Sequence, residues 1–181
     1  SGDFTQSSSK SSYNFAASGS HKVTFTSDKK HVVSVSSSNS YFNKLDITGA
    51  EIELKYDTYL KNELIGEDGV ITGKTIVICN NAKVPSVING NVEIYGNYTL
   101  AKDVQIKGSL YLHGSQFDLS GYTLTVDGDT TSYDSTINLN KGTYNSNGNF
   151  SVGNYSRLNI VNSEDKLNVH KNFSFLNSSY Y

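Results

Sequence analysis

The chain has 181 residues, 36% hydrophobic and 18% charged, with 15 Lys and Arg against 17 Asp and Glu for a formal charge of −2. That balance leaves no basic stripe for nucleic acid or another polyanion, and Arg157, the one arginine, cannot supply the planar forks that phosphate recognition uses. No run approaches the 18 or more apolar residues of a membrane-spanning helix.

Residues 1–46 are the least regular part. Phe4, Phe15, Val23-x-Phe25, Val33-x-Val35, Phe42 and Leu45-x-Ile47 supply short alternating pairs separated by serine clusters at 7–12 and 36–40. Gly2 to Gly49 spans 47 residues, room for two wide turns of a repeat. From residue 47 the chain tightens into a recurring unit, two alternating strands around a hinge: Ile47-Gly49-Ile52-Leu54, Ile71-Gly73-Ile76-Ile78, Ile88-Gly90-Val92-Ile94, Val104/Ile106-Gly108-Leu110-Leu112, Val126-Gly128-Thr130-Ser132, Ser146-Gly148-Phe150-Val152, and Val169-Lys171-Phe173-Phe175. Successive hinges lie 24, 17, 18, 20, 20 and 23 residues apart, the window of a solenoid. Residues 55–70 read as an irregular loop, with Glu67-Asp68-Gly69 as its turn signal.

A third pair falls between hinges: Tyr98-x-Leu100, Phe117-x-Leu119, Ile137-x-Leu139 and Leu158-x-Ile160. Three strands per period, each alternating with period two, close a coil whose inward side chains build a core. Stacked coils let every strand pair in parallel with its equivalents above and below. The fold class expected is therefore all-β, a parallel β-helix or β-solenoid of about eight rungs of three short strands. The usual chirality of parallel connections makes it right-handed by analogy. Residues 1–181 are expected to form one β-helix segment, wider over 1–46 and regular over 47–181. From the similar phasing of Gly2-Asp3-Phe4-Thr5 and Asn172-Phe173-Ser174 it is expected to be an excerpt of a longer array, with neighbouring repeats of the same polypeptide as its first partners.

The inward set expected in the regular part is Ile106, Leu110, Leu112, Phe117, Leu119, Leu124, Val126, Ile137, Leu139, Phe150, Leu158 and Ile160. Asn-Gly and Asp-Gly steps at 89–90, 127–128 and 147–148 read as bends that need positive φ. The outward positions Gln105, Thr125, Asn145 and Asn168 form a polar ladder. A serine, Ser146, stands where other rungs bury Ile or Val.

The stretches GDFTQ, HKVTFTSDKKHVVSV and YFNKLDIT, followed by short rungs of the LTVDGD kind, resemble the repeat regions of very large secreted or wall-attached bacterial proteins, similar in architecture to filamentous-haemagglutinin-type β-helical adhesins. The resemblance implies an extracellular, cell-surface or secreted location and a role as stalk or adhesin segment, and it brings no catalytic residues. The single Cys79 excludes an internal disulfide and fits that setting.

β-Helical polysaccharide lyases and hydrolases need clustered carboxylates, a calcium site or a base on one exterior face. Asp127 with Asp129, and Glu67 with Asp68, read instead as turn residues, so no enzyme activity is expected. His21, His31, His113 and His170 have no metal-site spacing, and neither metal nor cofactor is expected. Five Asn-x-Ser/Thr sequons, at Asn97, Asn149, Asn154, Asn172 and Asn177, are what chance gives in a chain this rich in Asn and Ser. One surface feature stands out: alternation places Tyr95, His113 and Tyr133 at equivalent outward positions, in a column that includes Cys79, with Tyr111 at the neighbouring outward position. These four aromatic residues are the candidate ligand-binding set. Two functions follow: a rigid spacer, or a module binding carbohydrate or protein through that column or through residues 55–70.

Overall fold

The computed structural model describes residues 2–6, 15–26 and 29–176. Among them every regular element is a β-strand and every strand pairing is parallel. The strands stack as a β-solenoid of about eight turns.

Each turn presents three faces. The first runs through Phe4–Gln6, Lys30–Val35, Glu51–Leu54 and Val70–Gly73, then through Val87–Ile88, Val104–Ile106, Thr123–Val126, Thr143–Ser146 and Lys166–Val169. A bridge between Val70 and Asn89 joins the two runs. The second face is built by Ile76–Cys79, Thr130–Tyr133, Phe150–Val152, Phe173–Phe175 and the leading halves of the longer strands Tyr41–Asp46, Thr58–Ile65, Val92–Thr99 and Leu110–Asp118. The trailing halves of those four strands turn onto the third face, which Lys22–Thr24 begins and Thr136–Asn138 and Arg157–Asn159 continue.

Alternation explains the burial. Val104 and Ile106, Leu110 and Leu112, and Ser115 and Phe117 are buried, while the residues between them face outward at least in part. Phe150 is fully buried and Phe173 stacks on it, ring centroids 5.5 Å apart and 18° between planes. The serine at 146 is fully buried as well, and the volume it leaves is taken by Tyr144, itself fully buried and edge-on to Phe150 at 5.0 Å.

Several expectations change. Ile160 is 49% exposed and Leu158 only partly buried, because no further strand lies over Arg157–Asn159 among the described residues. Residues 55–70 are no loop: Thr58–Ile65 is a strand that contributes to the second and third faces. The Gly49 unit is a third of a turn out of phase with the others. Ile52 and Leu54 pair with Ile71 and Gly73, so the residues equivalent to Ile76 and Ile78 are Thr58 and Leu60. Only the first turn is much wider, with 29 residues between Asp3 and the Val32 N–H it accepts; the serine cluster at 7–12 lies outside the described residues.

The hinge glycines Gly90, Gly108, Gly128 and Gly148 do not adopt positive φ. Close packing selects them. A Cβ on Gly108 would lie 2.5 Å from the Gly90 carbonyl carbon, one on Gly128 2.7 Å from that of Gly108, and one on Gly148 2.5 Å from that of Gly128. Backbone stacks on backbone there, and no side chain fits.

Candidate functional site

The second face carries most of the aromatic surface. Its outward positions form two columns along the axis. Tyr59, Val77, Glu93, Tyr111 and Thr131 succeed one another in register in the first, and Cys79, Tyr95, His113 and Tyr133 in the second. Tyr95, Tyr111 and Tyr133 are 51%, 40% and 46% exposed, so the structure brings all four sequence-predicted residues onto one surface. It also adds Tyr41, Tyr59, Lys61, Asn80 and Glu93. Sequence hides Tyr59 and Lys61 because residues 55–70 read as a loop and the Gly49 unit is out of phase; the signal lies in Tyr41-Phe42 and Tyr59-Leu60, each an outward aromatic before a buried apolar residue.

A groove of about 420 Å³ runs along these columns, lined by Ser38, Tyr59, Lys61, Glu93, Tyr95 and His113 and so crossing five successive turns. Between Tyr59 and Glu93 in the first column Val77, outward by alternation, is only 1% exposed, and Cys79, which lines the groove, is buried. Burial pushes the Cys79 thiol pKa up, which lowers its reactivity at neutral pH.

Glu93 holds the centre. Burial, reinforced by the nearby Asp57 carboxylate, raises its pKa, and His113, with Nδ1 3.9 Å from Oε1, opposes the rise. Burial likewise raises the Tyr59 pKa, and the Glu93 charge adds to it. Lys61 places its ammonium 3.4 Å from the centroid of the Tyr41 ring, a cation–π contact that occupies the cation.

The carboxylates considered for catalysis do other work. Asp127 Oδ1 accepts from Asn147 Nδ2 at 2.8 Å, and its other oxygen accepts from Gln105 and pairs with Lys107. Burial alone would raise the Asp127 pKa, but these hydrogen bonds outweigh it and hold the carboxyl below its usual range. Asp129 accepts the backbone N–H of Asn149 at 2.8 Å, Glu67 that of Ser86 and Asp68 that of Gly49, both at 3.1 Å. All four tie one turn to the next. The amide ladder runs from Asn168 to Asn145 at 2.8 Å and from Asn145 to Thr125 at 3.3 Å, while Gln105 reaches to Asp127 rather than to Thr125.

Among the described residues no three His, Cys, Asp or Glu converge on a point where a metal ion could sit. His21 bonds the Ser18 carbonyl, His31 is buried against the Gly2 carbonyl, and His170 meets Asn147. Comparison with known proteins finds no matching family model, and no curated protein or solved structure of significant similarity. The arrangement therefore speaks for itself: an axial aromatic groove with one half-buried carboxylate suits binding of an extended ligand.

Proposed function

We propose that this chain is a rigid spacer, a stalk or adhesin segment of a bacterial protein secreted to or held at the cell surface, working in series with neighbouring solenoid units of the same polypeptide. The observation that carries this reading is the continuity of the stack. Backbone pairing links successive turns from Phe4↔Val33 through to Phe150↔Phe173 around one unbroken apolar core. Extension along such an axis must break whole turns, and about eight of them at roughly 4.8 Å each hold an attached partner about 40 Å away. The resemblance of the opening stretches to bacterial surface repeats supports the location.

The test is deletion of one 20-residue turn, residues 108–127, which restores the register between Gly108 and Gly128. In the surface-displayed protein the fold should survive and the reach shorten in proportion to the turns removed. An unchanged reach with the fold intact would overturn the spacer reading. A second reading, binding of carbohydrate or protein at the exterior aromatic surface, is favoured by the exposed column Tyr95, His113 and Tyr133.

A further inference from the structure

We propose that the second face binds an uncharged polysaccharide laid along the solenoid axis, with Tyr95 in the groove and Tyr111 and Tyr133 beside it as the stacking surface, and Glu93 and Asn80 as hydrogen-bonding partners. This rests on the binding reading and is independent of the spacer role.

Four observations carry it. First, the aromatic rings of these columns do not stack on one another, and the Tyr133 ring lies instead over Gly153 of the next turn. The ring–ring contacts of the described residues lie mainly among core phenylalanines, with His31, Tyr98 and Tyr144, and none involves Tyr95, Tyr111, His113 or Tyr133. Mutual stacking, the structural reason for aromatics on a strand exterior, is therefore not what these rings do. Their exposed ring surfaces can meet the polarised C–H groups of a pyranose ring, which the negative face of an aromatic attracts.

Second, the site is a repeat. Cys79, Tyr95, His113 and Tyr133 are equivalent residues on successive turns, at a spacing of roughly 4.8 Å that is close to the length of one sugar unit. A periodic row of rings matches a periodic ligand. A protein partner anchors instead through a few large side chains in deep central pockets, and this surface offers a shallow groove.

Third, the groove runs along the axis across five turns, from Ser38 to His113, long enough for about four sugar units at the rung spacing.

Fourth, the charges select against anionic polymers. Lys61 is engaged over Tyr41, and Glu93 stands at the centre with Asp57 near it. An anionic chain would meet the Glu93 carboxylate. The outward residues that continue the column beyond Tyr111, namely Thr131, Ser151 and Ser174, offer hydroxyls.

Affinity electrophoresis tests the proposal, with gels containing in turn β-1,4-glucan, glycol chitin, mannan or soluble starch as neutral probes and heparin as the anionic one. At least one neutral polymer should retard the protein and heparin should not. Retardation should fall tenfold or more in Tyr95→Ala/Tyr133→Ala and persist in Tyr122→Ala, whose ring is exposed but lies off these columns. The substituted positions are exposed, so the variants should fold, and an unchanged melting temperature checks it. Retardation by heparin alone, equal loss in Tyr122→Ala, or no retardation by any neutral polymer overturns the proposal. If no neutral polymer binds yet the same double variant abolishes self-association seen by sedimentation, the groove binds protein: the carbohydrate assignment fails and the binding reading stands. If the double variant changes neither, both fail.

Discussion

The side-chain oxygen of Asn80 accepts the backbone N–H of Asn97, one turn along, at 3.2 Å, and Asn81 does the same for Thr99 at 2.7 Å. The third face lacks a strand in this turn, where only Lys83 bridges to Glu63. Two asparagines in left-handed conformation, φ 35° and 58°, thus stand in for a missing strand. Asn tolerates that region better than most residues, and its amide mimics a peptide group. Gly96, at φ 84°, leaves the space that the Asn80 side chain enters.

Replacing Asn80 by Gly keeps the backbone conformation and removes only the amide. The expected cost is about 0.5–1.5 kcal/mol, the net worth of one hydrogen bond at a site water can reach. Hydrogen exchange should show a faster Asn97 amide with Gln105 and Lys107 unchanged. Equal protection of Asn97 in both proteins would remove the strand-substitute role.

Gly128→Ala should be among the most damaging single-methyl additions in the molecule. The new Cβ would meet the backbone of Gly108 and Ser109 at 2.7 Å, and the Gly128 N–H bonds the Gly108 carbonyl at 3.0 Å, so relief requires moving a ladder. A cost of about 1–3 kcal/mol or more is expected. Gly114→Ala, with nothing within 4 Å and only a positive φ of 58° to strain it, should cost about 1 kcal/mol. Urea midpoints decide, and the reverse ranking would mean that conformation rather than close approach selects the hinge glycines.

Much of this fold was legible because a parallel stack repeats one local rule. The alternation at positions such as Val104 and Leu110 reports the inner face directly, and ten of the twelve residues expected inward are fully or nearly fully buried. What failed depends on neighbours. Ile160 has the same pattern as Leu139 but no strand above it, and burial in a solenoid comes from the adjacent turn. The strand Thr58–Ile65 is hidden in the sequence because Thr58, with its hydroxyl on the Tyr56 carbonyl at 2.9 Å, takes an inward position that Ile76, Val92 and Leu110 fill with apolar side chains on the following turns. Tyr95, His113 and Tyr133 were found because their turns are regular, whereas Glu93 gains meaning only from the residues packed around it. Leu112→Ala should therefore cost about 2–5 kcal/mol and Ile160→Ala under about 1 kcal/mol. Comparable losses in thermal or urea unfolding would place Ile160 in the core after all.

Inside the stack, Tyr144 and Thr130 share a hydrogen bond of 2.9 Å between fully buried hydroxyls. Tyr144→Phe leaves the Thr130 hydroxyl without this partner at a cost of about 1–3 kcal/mol, and Thr130→Val does the converse. The double variant removes both groups and should cost less than the sum of the two. A double-mutant cycle with a coupling near zero would show that each hydroxyl has another partner.

Alkaline stability follows from the buried tyrosines. Burial pushes the Tyr98 pKa up to about 12 while its hydroxyl donates to the Ala82 carbonyl at 3.0 Å, and burial raises that of Tyr144 as well. In the unfolded chain both titrate near 10. Below that value both states hold the proton, and the tyrosines' contribution to stability is complete. Above it the unfolded chain loses protons that the folded chain retains, so stability falls as pH rises, by about 1.4 kcal/mol per pH unit for each tyrosine, until Tyr98 itself ionises. Urea midpoints measured from about pH 9 to pH 11.5 should therefore decline steeply beyond pH 10. Tyr98→Phe should remove its share of that slope at the cost of one hydrogen bond at neutral pH. An identical alkaline slope in Tyr98→Phe and the parent protein would show that Tyr98 ionises as freely folded as unfolded, which its place in the core does not allow.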